Sequence, residues 1–249
     1  MNALILAAGY ATRLYPLTKD FPKPLLEVGG RTILDHLLAQ LDAIDAIKRV
    51  WLITNHRFMP HFTRWRQGRT GGKPVDLIDD GTLTNDDRLG AVGDLLVALQ
   101  SVGTDDDLLV TAADNLLEFP LADLVNAFRR RPLSHVCVHG VDDPARLRRT
   151  GVVVLGAEDR VIEFREKPAE PRSNLAVPPI YLLARSTLPR VGEYLGGGGL
   201  PEAPGHFIEW LCRQEAVHAH RIHGTILDIG TPESLGAARA RFRGELPRE

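Results

Sequence analysis

The chain has 249 residues, 44% of them hydrophobic and 25% charged, which is enough apolar side chain to bury a sizeable core and excludes a disordered chain. A formal net charge of −2 removes any general electrostatic grip on nucleic acid or an anionic membrane, so an anionic ligand has to be held by local arrangement. The two cysteines, Cys137 and Cys212, are too few for a disulfide framework and lack the close spacing of a thiolate metal site, which leaves two reduced, buried thiols and the expectation of a cytoplasmic protein.

Residues 1–8 are apolar but carry no basic leader and run straight into glycine, so they read as a first strand rather than a signal peptide. Within them Ala3-Leu4-Ile5-Leu6-Ala7 is the continuous apolar run of a strand buried on both faces. From Thr32, a helix cap by type, Ile33, Leu34, Leu37, Leu38 and Leu41 recur at helical spacing. Strands are expected at 50–54, 75–78 and 108–111, with helices at 93–102 and 121–130, an alternation that implies a parallel sheet. Beyond Val136 the pattern changes. Residues 151–155 and 160–165 flank Gly156-Ala157-Glu158-Asp159 as the two arms of a hairpin, and 180–184 is a further strand. The run of four glycines at 196–199, followed by Leu200-Pro201, reads as a mobile loop. Phe207, Ile208, Leu211 and Cys212 mark a short helix, 225–229 a last strand, and 232–242 a closing helix with proline in its first turn. No apolar run approaches the length of a bilayer span, and no internal repeat is present.

Four segments carry residue types suited to phosphate chemistry. After the first strand, Ala7-Ala8-Gly9-Tyr10-Ala11-Thr12-Arg13 offers small residues that let a phosphate approach the backbone, followed by a fixed positive charge. It matches neither G-x-G-x-x-G nor a P-loop, and small residues serve any tight turn, so the segment alone does not decide. In Phe21-Pro22-Lys23-Pro24 two prolines hold the chain extended and present Lys23 stiffly. Asp114 follows an apolar strand, where a carboxylate faces a ligand crevice. Asp228 lies inside Ile226-Leu227-Asp228-Ile229, where burial of a carboxylate is costly unless it is paired or bound to a metal. Each aspartate alone is equally a cap or an ion-paired residue; together they suit one shared Mg²⁺.

The stretch from Leu6 to Pro24 resembles the signature L-A-A-G-x-G-T-R-L-x-P-x-T-x-x-x-P-K-P of the sugar-1-phosphate nucleotidylyltransferases, departing from it only at Ala11, which replaces the second glycine. Asp114-Asn115 resembles that family's G-D-N segment, Asp228-Ile229-Gly230-Thr231-Pro232 its D-I-G-T-P, and Glu166-Lys167-Pro168 its E-K-P. The resemblance implies an α/β, Rossmann-like (GT-A-like) fold: a mostly parallel mixed sheet flanked by helices, with an inserted β-hairpin region that binds sugar. It also implies one nucleotidyltransferase domain over 1–249, with 1–135 mainly holding the nucleotide and 136–249 mainly holding the acceptor. Carried over residue by residue, Arg13, Lys23, Asp114, Lys167 and Asp228 are catalytic, and Asp114 and Asp228 bind Mg²⁺. Leu6, Ala7, Ala8, Gly9, Thr12 and Gly90 join Arg13 and Lys23 around the nucleotide, and Gly151, Glu166 and Asn174 join Lys167 around the acceptor.

The implied partners are a nucleoside triphosphate and a phosphorylated small molecule, with no nucleic acid and no membrane, and relatives of this kind form homo-oligomers. Pro178-Pro179 stands where relatives carry threonine and glycine, which leaves open the sugar and also a non-sugar acceptor such as phosphocholine. A non-catalytic regulatory relative is the second alternative, and the five charged residues speak against it. The segment from Asn85 to Asp94 occupies the base-reading region without spelling a base. His218, His220 and His223 lack acidic or thiolate company for a metal, and the arginine runs at 129–131 and 146–149 read as solvated surface.

Overall fold

The computed structural model describes residues 1–243. In its first half, β1 (Asn2–Leu6), β2 (Glu27–Val28), β3 (Arg31–Thr32), α1 (Ile33–Asp42), β4 (Val50–Thr54), α2 (Met59–Gly68), β5 (Val75–Asp79), α3 (Ala91–Val102), β6 (Leu108–Ala112), β7 (Asn115–Leu117) and α4 (Ala122–Arg130) follow one another. The second half contributes β8 (His135–Gly140), α5 (Pro144–Leu147), β9 (Gly151–Leu155), β10 (Val161–Glu166), β11 (Leu175–Val177), β12 (Ile180–Leu183), α6 (Arg190–Gly196), α7 (Pro204–Gln214), β13 (His218–Arg221), β14 (Ile226–Asp228) and α8 (Pro232–Phe242).

One mixed sheet runs in the order β10-β9-β11-β8-β12-β6-β1-β4-β5, with β13 added alongside β8. Strands β6, β1, β4 and β5 are parallel, as alternating strand and helix require, whereas β12 enters antiparallel between β6 and β8. The apolar run of β1 is buried on both sides: Ala3 and Ile5 pack with α1 and α4 on one face, and Leu4 packs with α3, α6 and α7 on the other. Helix α1 starts where expected, because the Thr32 side chain accepts a hydrogen bond from the Asp35 N–H at 3.0 Å. Its apolar face, Ile33, Leu34, Leu37, Leu38 and Leu41, is buried to 3% exposure or less, each side chain contributing about 2 kcal/mol by removal from water. Among the described residues no helix is long and apolar enough to cross a membrane.

Three expectations are corrected. The expected last strand is present as β14, paired with β7 in a separate two-stranded ribbon, but Asp228 is exposed there, which corrects the burial expected of it. The glycine run is no loose loop. Gly196 ends α6, Gly198 (φ 85°) takes the left-handed position, and the Gly198 and Gly199 N–H groups bond back to the Leu195 and Tyr194 carbonyls, both at 3.0 Å. Gly199 lies against the Tyr194 ring, where any Cβ would overlap it. Cys137 is buried as expected, but Cys212 is only partly so; both are free.

Candidate active site

The turn after β1 is tied down from behind. The Asn55 side chain, at the end of β4, donates to the Ala8 carbonyl at 2.9 Å, and the Thr18 hydroxyl donates to the Ala11 carbonyl at 2.8 Å. Nothing lies within 4 Å of the position a Cβ would take on Gly9, so that side of the turn is open. Ala11 adopts φ 46°, ψ 45°, the left-handed conformation that glycine enters without cost, which is why glycine belongs at this place in the signature. The 3₁₀ turn Thr12–Leu14 then carries Arg13.

Pro22 holds an extended conformation and leads into the 3₁₀ turn Lys23–Leu25. Lys23 is buried at 6% exposure, and its ammonium meets an Asp114 carboxylate oxygen at 3.2 Å. The other Asp114 oxygen accepts from the Asn115 amide at 2.8 Å. Register in the β7–β14 ribbon sets Asp228 directly across from Asn115. Gly230 completes the junction: a Cβ there would stand 3.3 Å from both the Arg13 guanidinium and an Asp228 carboxylate oxygen. Four separate segments therefore bring Arg13, Lys23, Asp114 and Asp228 together.

Lys167 and Glu166 come from the end of β10. Lys167 sits at φ 47° with its N–H bonded to the Thr150 carbonyl at 3.1 Å, an unusual conformation that turns the chain just after the hairpin. Its ammonium lies 3.8 Å from the Glu166 carboxylate, whose side chain is 8% exposed. Burial raises the Glu166 pKa, and the Lys167 and His206 charges oppose the rise. Glu166 also abuts Gly151 and Gly205, and a Cβ on Gly205 would occupy the space of its carboxylate.

Two cavities meet at these residues. The larger, about 480 Å³, is lined by Arg13, Asp114, Gly151, Glu166, Lys167 and Asp228 among others. The second, about 360 Å³, is lined by Leu6, Ala7, Ala8, Gly9, Lys23 and Gly90 among others. Arg13 and Asp114 line both, as does Pro179, so the two form one cleft. Thr12 and Asn174 are not brought in: both are exposed and outside either lining, and Asn174 instead uses its carbonyl to accept from the Val141 N–H at 2.8 Å.

The cleft also holds residues that were not singled out. Arg146 and Arg149, read from sequence as solvated surface, line the larger cavity beside His139 and Tyr181. Asp143 is the signal that was available there, since it caps the short helix α5 by accepting from the Ala145 N–H at 2.8 Å and so directs that arginine run. Asp80, Arg88 and Asp94 line the smaller cavity. Arg131 pairs with Glu158 at 2.5 Å and with His218, away from the cleft. Among the described residues no group of three or more His, Cys, Asp and Glu side chains is arranged to hold a metal, the three histidines included. Asp114 and Asp228 offer hard oxygen donors without thiolate or imidazole, a set that fits Mg²⁺ once phosphate oxygens complete its shell.

A mixed α/β sheet with a small-residue turn after its first strand, and with cations and two aspartates lining the crevice beside it, is the architecture of an α/β enzyme that handles anionic substrates. The chain belongs to the nucleotidyl transferase family, whose model matches residues 2–243. It is 32% identical over 258 residues to the UTP–glucose-1-phosphate uridylyltransferase AglF of Haloferax volcanii, covering 98% of each chain. It is also 32% identical over 243 residues to the bifunctional protein GlmU of Methanococcus aeolicus, covering 94% of this chain and 53% of that one, so the chain spans about half the length of that relative. Among solved structures, a Bacillus anthracis protein in complex with sucrose, provisionally named a glucose-1-phosphate thymidylyltransferase, superposes with a TM-score of 0.82 at 28% identity, covering 98% of this chain and 95% of the other.

Proposed function

We propose that the chain transfers a nucleoside monophosphate from a nucleoside triphosphate to a sugar 1-phosphate, releasing pyrophosphate and yielding a nucleoside diphosphate sugar. The observation that carries this reading is the convergence of Arg13, Lys23, Asp114, Lys167 and Asp228, drawn from five segments, on one cleft with two halves that share Arg13 and Asp114. The smaller half takes the triphosphate and the larger half the acceptor, so residues 1–135 supply most of the donor side and later residues most of the acceptor side.

The chemistry is in-line attack of an acceptor phosphate oxygen on the α-phosphorus: a new P–O bond forms, the bond to the β-phosphate oxygen breaks, and pyrophosphate departs with that electron pair. No group of the protein becomes covalently attached, so the protein positions the reactants and neutralises charge. Arg13 holds the departing pyrophosphate, Lys23 the phosphates near the reacting centre, and Lys167 the acceptor phosphate. Arg146 and Arg149 add positive charge to the acceptor side. Asp114 and Asp228 would hold Mg²⁺, which when bound neutralises and aligns phosphate oxygens. Glu166, buried beside Lys167, faces acceptor hydroxyls as a hydrogen-bond acceptor. A phosphocholine acceptor is disfavoured, because among the described lining residues Tyr181 is the one Phe, Tyr or Trp ring and an ammonium cage needs several. Two unpaired thiols support a reducing, cytoplasmic setting.

The test is Mg²⁺-dependent pyrophosphate release over a panel of nucleoside triphosphates and sugar 1-phosphates. Asp114→Asn is expected to lower turnover by roughly 100-fold or more in a protein that still melts cooperatively above the assay temperature, although the buried Lys23 loses its ion-pair partner and the midpoint falls. Full activity in that variant removes the metal assignment, and inactivity of the wild-type protein across the panel removes the reaction.

A further inference from the structure

Two carboxyl groups in the smaller cavity have no part in the chemistry above. Asp80 follows β5, and Asp94 sits in the first turn of α3 with its N–H bonded to the Gly90 carbonyl at 2.8 Å. Both side chains line the same cavity, and the Asp80 charge raises the Asp94 pKa, as facing carboxyls do when one of them keeps its proton. Asp80 is half-buried, and one of its oxygens accepts from the Thr82 N–H at 2.7 Å. Asp94 is 6% exposed, and its Oδ1 has no hydrogen-bond partner. Burial, and then the Asp80 charge, push the Asp94 carboxyl up to about 8, so Asp94 keeps its proton near neutral pH and is the donor of the pair.

An anionic carboxylate repels a triphosphate, so this pair suits the uncharged part of the nucleotide. The cavity that the pair helps line has charged groups in Arg13, Lys23, Arg88 and Asp114 and a small or apolar wall in Leu6, Ala8, Ala91, Ala113 and Pro179, the kind of wall a flat heterocycle requires. We propose that Asp80 reads the edge of the nucleobase, with Asp94 as the positioning residue that orients it, and that the donor is a nucleotide whose base presents adjacent N–H groups, a guanine nucleotide. This rests on the nucleotidyl-transfer reading and specifies its donor. Asp80 acts only as an acceptor. Guanine sets N1–H beside N2–H₂, which one carboxylate accepts together. Uracil and thymine offer one N–H flanked by two carbonyl oxygens that a carboxylate repels, and cytosine and adenine set their amine beside a ring-nitrogen lone pair. The proposal departs from the uridylyl and thymidylyl names of the relatives, which makes it easy to overturn.

The experiment is calorimetric binding of GTP, UTP, dTTP, CTP and ATP to the full chain and to its Asp80→Asn, Asp94→Asn and Asp94→Leu variants, each first checked for a cooperative melt. The wild-type chain is expected to bind GTP tightest by roughly 10-fold or more, and Asp80→Asn to lose roughly 10- to 100-fold for GTP with less change for the others. Asp94→Asn keeps an N–H directed at Asp80 and retains the preference, whereas Asp94→Leu loses it; where that variant does not fold, Asp80→Asn carries the result. Tightest binding of a pyrimidine nucleotide overturns the proposal, as does an equal loss for all five in Asp80→Asn, which would assign the contact to the ribose. Binding of none of the five removes the donor site itself, and with it the nucleotidyl-transfer reading, an outcome distinct from the wrong base.

Discussion

Ala11 is the residue at which this chain departs from the signature, and it takes the left-handed backbone conformation that glycine enters without strain. A Cβ in the left-handed region costs about 1–2 kcal/mol, partly offset because glycine leaves the unfolded chain more freedom. Ala11→Gly is therefore expected to stabilise the protein by about 0.5–1 kcal/mol in urea titration without altering the cleft; a loss of stability would mean that the methyl group packs usefully. Asp94 makes a second prediction, through pH. Its folded-state pKa, about 8, lies above the ordinary 3.8, so between those values the native state holds a proton that the unfolded chain has released. Stability from this group is therefore greatest at and below pH 4 and declines as pH rises toward 8. Asp80 is the charge that faces it, and Asp79 in turn acts on Asp80. Asp94→Asn removes the titration and keeps the donor. It is expected to be more stable than wild type at pH 8, by on the order of 1 kcal/mol, and to show a flatter stability profile from pH 5 to 8. Parallel profiles for the two proteins would contradict this.

Elements whose pattern is local were legible in the sequence. The all-apolar β1, the Thr32 cap with its leucine stripe, and the hairpin of β9 and β10 are each signalled by residues close together in the chain. Helix α2 did not, because it is mostly polar and buries only Phe62 fully, so its periodicity is faint. The β7–β14 ribbon is three residues to a strand, and its partners are more than a hundred positions apart, a pairing that no local pattern encodes. The glycine run was misread because a helix-ending turn becomes apparent only once Tyr194 is known to lie beneath it. Helix α7 gives a prediction at this scale. Gly205 lies in its first turn against Glu166. Gly205→Ala improves helix propensity by up to about 1 kcal/mol, yet it displaces the Glu166 carboxylate. The expected outcome is unchanged or higher stability with a roughly 10-fold higher KM for the sugar 1-phosphate and little change for the triphosphate; an unchanged acceptor KM would release Glu166 from its role.

Across the whole molecule, the parallel half of the sheet follows from strand and helix in alternation, whereas the antiparallel insertion of β12 between β6 and β8 depends on long-range packing. That insertion places Pro179, just ahead of β12, in the lining of both cavities. The residue types at Arg13, Lys23, Asp114, Lys167 and Asp228 could be picked out along the chain, and their convergence was legible only through the family resemblance; the burial argued for Asp228 is one that the fold does not impose. Arg146, Arg149 and the Asp80–Asp94 pair stayed hidden for the same reason, since charges that look solvated in one dimension become cleft walls in three.

The account depends most on Asp114 and Asp228 serving one dication rather than two separate purposes. A double-mutant cycle on Mg²⁺-dependent turnover tests this directly, using Asp114→Asn, Asp228→Asn and the pair. A shared ion predicts that the double variant is no slower than the slower single variant, whereas losses that multiply would show two independent roles and contradict the shared site.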